Sequence, residues 1–251
     1  MVEIKDLAPI GFGTYRLKEE AQKEVIDYAI NNGCNLIDTA SNYGNGEAEK
    51  LIGESINSSG KSKDVFIISK AGYITNPIVF DSQLTEKDLF AINSNTWYSI
   101  HPIVLDYELS KSLIRLKRDY IDGYLLHNPE YIFNSNKNDS ILYEQIERAF
   151  KFLEKKVDQG RIRFYGISSN NLPKFEEGAK SIDLSKLMQI AKKIKKNNHF
   201  KIIQFPYNLF EKDAYLYKYK QNKNLIEYSH ANMDEPAIVN HVRRMKVSIA
   251  N

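Results

Sequence analysis

The sequence predicts an α/β protein, a (β/α)8 TIM barrel that is incomplete at its C-terminus, with six clear strands and a seventh expected in the tail. Three observations predict it. Short, nearly all-apolar runs alternate with amphipathic helical stretches, the pattern of a parallel sheet covered on both faces. Polar residues close one run after another, at Asp38, Lys70, His127, Ser168 and Gln204. Glycines stand where the helical stretches stop, at Gly33 and Gly160. An open doubly wound sheet satisfies the alternation equally, but it would spread those polar ends along an edge. A barrel gathers them on one face, where barrel enzymes place their chemistry.

In order, Pro9–Thr14 is a short strand ending in glycines. Lys18–Asn32 carries Ala21, Val25, Tyr28 and Ala29 at helical spacing, and Gly33 is placed to stop it. Leu36–Asp38 is the second strand and opens into a polar loop with Tyr43. Glu47–Ile56 is the second helix, with Ala48, Leu51 and Ile52 on one face. Val65–Ser69 is a strand of the fully buried type, ending at Lys70, and Tyr107–Arg118 is the next helix. Ile121–Leu126 ends at His127. Tyr143–Val157 is a long amphipathic helix stopped by Gly160, and Phe164–Ile167 leads to Ser168, Ser169 and Asn170. Leu184–Lys196 and Ile202–Phe205 complete the regular part.

Two regions break the pattern of what otherwise reads as one domain over residues 1–251. The loop 71–106 shows no element of its own, and loops that long are uncommon unless functional or disordered. Its Trp97, Tyr98, His101 and Pro102 argue for ordering over the barrel mouth, with substrate contact or plain loop packing as their roles. The tail 224–251 is atypical. It offers a helix at Leu225–Asn232, a break at Pro236 and a strand at Met245–Ile249, and nothing after it makes an eighth.

Composition excludes several functions. Lys plus Arg (35) against Asp plus Glu (32) gives +3, too balanced for nucleic acid or an anionic membrane. No apolar run approaches the roughly 18 residues of a membrane helix, and Met1–Asp6 is no secretory signal; a cytoplasmic location is expected. The single cysteine, Cys34, leaves no intramolecular disulfide and no cysteine-based metal site, and no His/Asp/Glu grouping has metal-ligand spacing. The run Lys192–Lys196 is read as the wet face of a helix.

The polar strand ends define a chemistry. A free tyrosine, with a pKa of about 10, is a weak acid near neutrality. An adjacent ammonium favours the phenolate, and a carboxylate beside the lysine keeps it charged and fixed. Asp38, Tyr43, Lys70 and His127 at one barrel mouth therefore make a general acid aimed at a developing alkoxide, with the imidazole holding the carbonyl oxygen. No side chain supplies a hydride, so a nicotinamide cofactor is implied. Each residue also has a plainer reading: Asp38 as an Asx turn, Lys70 as a solvated strand end, His127 as a structural histidine, and Tyr43 as one tyrosine among 16.

Six ordered blocks carry a family resemblance: Gly11–Tyr15, Ile37–Ala40 with Tyr43-Gly44, Phe66–Lys70, Ile121–His127, Gly166–Ser168 and Gln204–Leu209. Together they resemble the aldo-keto reductase superfamily over roughly residues 8 to 210. Leu126–Glu130 is similar to a less-studied branch rather than to the aldose reductases. The resemblance implies that Tyr43 donates the proton, that Lys70, paired with Asp38, lowers its pKa, and that His127 orients the carbonyl. It puts Ser168 and Gln204 on the nicotinamide carboxamide and Gly13, Thr14 and Asp38 along the ribose. It makes NADP(H) the expected cofactor, with NAD(H) as the alternative, and a small carbonyl or alcohol the substrate. Ser169 stands where the family commonly has asparagine, so either it makes that contact or Asn170 shifts into it.

The family's nicotinamide-stacking aromatic, pyrophosphate loop and adenosine-phosphate clamp follow its seventh and eighth strands, and the sequence shows no match for them. Arg243 and Arg244 precede the expected seventh strand. The alternative function is therefore a truncated or non-catalytic relative acting as a binding or regulatory module. A barrel lacking a strand also exposes sheet edges, through which the chain could self-associate.

Overall fold

The computed structural model describes residues 1–75, 84–85, 87–135, 139–172, 182–206 and 237–241. Its elements are β1 (Phe12–Gly13), α1 (Lys23–Asn31), β2 (Leu36–Asp38), α2 (Glu47–Ser58), β3 (Phe66–Ala71), β4 (Tyr73–Ile74), β5 (Phe90–Asn93), β6 (Thr96–Tyr98) and α3 (Pro102–Leu116). There follow β7 (Ile121–His127), α4 (Tyr131–Ser135), α5 (Asp139–Asp158), β8 (Ile162–Ser168), α6 (Leu184–Ile194), β9 (Phe200–Pro206) and β10 (Ala237–His241). Seven strands form one curled parallel sheet in the order β1-β2-β3-β7-β8-β9-β10. The three antiparallel strands β4-β6-β5 form a second, small sheet.

Side-chain alternation along the strands separates two cores. Leu36, Phe66, Ile68, Leu125 and Ile202 meet in one buried cluster although they come from β2, β3, β7 and β9. Such non-adjacent strands share a cluster only on the concave face of a curved sheet. The intervening residues Ile37, Ile67, Tyr124, Leu126, Tyr165, Ile167 and Ile203 point the other way, into the larger core under the helices. Val2, Ile4 and Leu7 pack on the inner cluster. There Arg163 donates to the Val2 carbonyl (2.6 Å) and to the Asp122 carboxylate (2.9 Å), which fastens the N-terminal segment near the strand starts.

Alternation also determines what faces the mouth. Two residues beyond each inner apolar residue, the inward positions at the strand ends are Asp38, Lys70, His127 and Gln204; Ser168 follows Phe164 by four. The sheet's parity therefore aims all five polar termini to one side.

The structure corrects three expectations. Segment 71–106 is not a bare loop: it holds β4, β5, β6 and the first turns of α3. Tyr73 pairs with Tyr98, and Phe90 with Tyr98 across β6. Asn93 Oδ1 accepts from the Asn95 amide (2.9 Å) in the connecting turn, the local bond that suits Asn to turns. These strands are two to four residues long, too short for alternation to register. Helix α3 starts at Pro102 rather than Tyr107, because His101 caps it through Nδ1, which accepts from Ile103 N (3.3 Å), and proline takes the first helical position. Finally, the seventh strand is Ala237–His241, paired in register with Ile202–Pro206, directly after the Pro236 break. Arg243 and Arg244 thus follow that strand in sequence instead of preceding it. They lie outside the described residues, as do Leu225–Asn232 and Met245–Ile249. Among the described residues no pairing joins β1 to β10, so the sheet has two edges.

Candidate active site

At the strand ends the side chains form one hydrogen-bonded chain. Lys70 Nζ lies 2.8 and 2.9 Å from the two Asp38 oxygens and donates to the Thr39 carbonyl at 2.8 Å. Gln204 Nε2 donates to Asp38 Oδ1 (2.8 Å), and the Ser168 hydroxyl donates to Gln204 Oε1 (2.8 Å). Lys70 is 1% exposed and Asp38 6%, and charges this deep persist only when paired and hydrogen-bonded. Burial alone would lower the Lys70 pKa. The Asp38 carboxylate and the Tyr43 hydroxyl, which accepts a hydrogen bond from the ammonium, outweigh burial and hold Lys70 above the ordinary lysine value.

Tyr43 opens a tight turn, Tyr43–Gly46, at the head of α2, in which Gly44, Asn45 and Gly46 all adopt positive φ (57°, 56° and 95°). That left-handed run suits glycine and asparagine and swings the tyrosine back over the barrel. Its ring centroid is 5.1 Å from Lys70 Nζ, and it meets the rings of His127 (5.9 Å) and Tyr15 (5.1 Å) edge-on. Asp38, Tyr43, Lys70 and His127 are therefore brought together.

The other sequence candidates divide. Gly13 pairs with Asp38 across β1–β2, and the Thr14 amide and hydroxyl both donate to the Asp38 carbonyl at 3.0 Å, so both flank the carboxylate. Ser168 and Gln204 lie at the mouth. Ser169, turned outward by the alternation, has its hydroxyl on the Asn171 amide (3.1 Å) and on Glu130. The Asn170 amide donates to Glu130 Oε1 (2.8 Å). The Ser169 amide donates to the Gln204 carbonyl at 3.0 Å, so Ser169 borders the Ser168–Gln204–Asp38 chain through its backbone. Trp97 packs against a side cluster with Ile74 and Val104, Tyr98 is fully buried, and His101 is the helix cap.

Sequence reasoning missed Tyr73, Asn128 and Glu130. Tyr73 lies edge-on to His127 (5.0 Å) and accepts from Asn128 Nδ2 (2.7 Å); burial raises its pKa well above the phenol value. Asn128 takes φ 55°, for which the Asn128-Pro129 dipeptide was a readable turn signal. Glu130 is 5% exposed. Burial raises its carboxyl pKa, against the opposing pull of the Asn170 and Asn171 amides and the Ser169 hydroxyl. In sequence it reads only as an acid preceding a short helix.

A curled parallel sheet thus gathers an Asp–Lys pair, a tyrosine and a histidine at its C-terminal mouth, the face on which barrel enzymes place their chemistry. Comparison with known proteins specifies the family. The family model "Aldo/keto reductase family" matches residues 9–241, and the chain belongs to that family, whose fold is the TIM barrel. An oxidoreductase of Schizosaccharomyces pombe is 28% identical over 193 residues, covering 73% of this chain and 49% of that protein. The NADPH-dependent D-xylose reductase of Meyerozyma guilliermondii is 28% identical over 216 residues, covering 80% and 59%. The chain thus spans about half the length of the curated relatives it matches. The Klebsiella pneumoniae aldo/keto reductase in complex with NADP and acetate shares the fold with a TM-score of 0.53 at 24% identity, covering 86% of this chain and 61% of that one.

Proposed function

We propose that the protein is an NAD(P)(H)-dependent oxidoreductase that interconverts a small carbonyl compound and its alcohol, with NADP(H) as the preferred cofactor. The observation that carries the reading is the buried Asp38–Lys70 pair with its ammonium on the Tyr43 hydroxyl. The cofactor preference rests on the relatives: the D-xylose reductase is named NADPH-dependent, and the Klebsiella protein was solved with NADP.

The residues present suit the nicotinamide end of such a cofactor. Ser168 and Gln204 offer the mixed donors and acceptors that a carboxamide needs. Each keeps capacity after its internal bond: the second N–H of Gln204 and lone pairs on both oxygens. Gly13 and Thr14 are the ribose candidates beside Asp38. Bound nicotinamide would supply the hydride. Lys70 draws the phenol toward ionisation and Asp38 holds Lys70 in place. Tyr43 gives its proton to the carbonyl oxygen as negative charge develops there, and His127 donates a hydrogen bond to the same oxygen. In the reverse direction the Tyr43 phenolate takes the alcohol proton.

Cofactor binding separates this reading from a non-catalytic relative that keeps the four residues. Titrated with protein, NADPH fluorescence is expected to shift or quench saturably at micromolar concentrations. An unchanged signal up to high micromolar cofactor would leave the binding-module reading in its place.

A further inference from the structure

We propose that an ion pair outside the barrel, between fully buried Glu49 and partly exposed Arg115, is a positioning device that sets the placement of Tyr43 against Lys70. The inference rests on the acid role of Tyr43 proposed above. Glu49 is the third residue of α2 and is fully buried. Both of its oxygens are used: Oε1 accepts from the Ser69 hydroxyl at 2.5 Å and Oε2 from Arg115 Nε at 2.6 Å, with Arg115 Nη2 also 2.6 Å from Oε2. Ser69 is the chain neighbour of Lys70. Alternation turns its side chain outward, so Glu49 grips β3 from the helix side at the point where Lys70 projects inward.

The other end of the pair supports the tyrosine. A Cβ on Gly46 would fall 2.7 Å from Arg115 Cδ and 2.9 Å from Nε, so the last residue of the Tyr43–Gly46 turn rests on the arginine side chain. Arg115 is in turn held by the Ser112 hydroxyl (3.3 Å), with Glu108 at 4.0 Å. Glu108 hydrogen-bonds Ser41, whose amide donates to the Lys70 carbonyl at 3.0 Å. A continuous path therefore runs from the Tyr43 turn through Arg115, Glu49 and Ser69 to Lys70.

The surroundings argue for this purpose. The neighbouring positions of the α2–α3 interface are apolar, among them Leu51, Ile52, Leu109, Leu113 and Leu116. Placing a charged pair there, with Glu49 fully buried, gives little or no net stability over an apolar pair of similar size. What the pair provides is direction: charge-assisted bonds that occupy both carboxylate oxygens, Oε2 by Arg115 and Oε1 by Ser69, fix atoms in place more narrowly than aliphatic packing does. Placement matters because the influence of Lys70 on the phenol depends on their separation.

The test reads Tyr43 directly in cofactor-free protein. With ¹³Cζ-labelled tyrosine, the Tyr43 resonance is identified by its loss in Tyr43→Phe, and its pKa is followed by NMR titration. The groups facing the ring are Lys70, with Asp38 behind it, His127 and Tyr15, and none of them is altered in the two positioning variants. Gly46→Ala crowds Arg115 and, at φ 95°, also strains the turn itself, whereas Ser69→Ala releases β3 from Glu49 alone; neither changes a charge. Each is expected to raise the Tyr43 pKa, by about half a unit to one unit, and Lys70→Met to raise it more. Ala149→Gly, in the buried face of α5, is the control that lowers Tm without moving the titration. If Lys70→Met shifts Tyr43 but Gly46→Ala and Ser69→Ala do not, the positioning role is overturned and the acid reading stands. If Lys70→Met leaves Tyr43 unmoved, the acid reading falls and the positioning role with it. Should Gly46→Ala fail to fold, Ser69→Ala, which deletes one hydroxyl, decides the question.

Discussion

Tyr43→Phe is expected to slow carbonyl reduction by about 10³-fold, the scale of losing a positioned general acid. Nicotinamide affinity should stay within about twofold, a change worth less than about 0.5 kcal/mol. The substitution removes one oxygen and nothing else: the ring keeps its edge contacts with Tyr15 and His127, and the turn that carries it is set by backbone conformation. The affected step is proton delivery, because Ser168, Gln204 and the Asp38–Lys70 pair are untouched. NADPH consumption at 340 nm against a panel of small aldehydes and ketones measures the first quantity, and fluorescence titration measures the second. Retained turnover would refute the acid role. Lost turnover together with lost cofactor binding would show that the residue serves the pocket rather than the proton.

The second large effect concerns the fold. Gly166→Ala is expected to destabilise the protein by about 3 kcal/mol or more, on the scale of severe overpacking in a core. A Cβ there would lie 1.8 Å from the Ile202 carbonyl oxygen and 3.0 Å from Leu125 Cδ2. The β8–β9 register shifts between Tyr165 and Gly166, so the two backbones approach where only glycine fits. Neither strand can withdraw easily, since Ser168 and Gln204 at their ends are bonded to one another. Urea denaturation followed by circular dichroism gives the loss. A change below about 1 kcal/mol would show that β9 moves aside freely, and that the mouth geometry does not depend on this close approach.

Much of this was legible in the sequence, for reasons visible at particular residues. Phe66–Ile68 and Tyr124–Leu126 are buried on both faces, so their apolar runs announced parallel strands, and the polar residue closing each run marked the mouth. Asp38, Lys70 and His127 could be placed because a strand's period of two leaves little freedom in where its last residue points. The β4–β6 sheet was illegible because three strands of two to four residues carry no period, and their pairing is a tertiary fact. The Ser169–Glu130 contact was illegible because Glu130 stands 39 positions earlier, and nothing in the local sequence reveals that contact. The strand at Ala237–His241 was not read from the sequence, since five residues after Pro236 ending in Asn240 and His241 carry little period and their pairing with β9 is a tertiary fact.

The central claim is that Lys70, held charged by Asp38, makes Tyr43 an acid usable near neutrality. It is tested most directly by the pH profile of carbonyl reduction in the wild type and in Lys70→Met. The acid must carry its proton, so the rate falls as pH rises through the Tyr43 pKa. The ammonium favours the phenolate and lowers that pKa; without it the value returns toward the ordinary phenol value of about 10. The account predicts that Lys70→Met moves the falling limb to higher pH or eliminates turnover. An unaltered limb at an undiminished rate would contradict it.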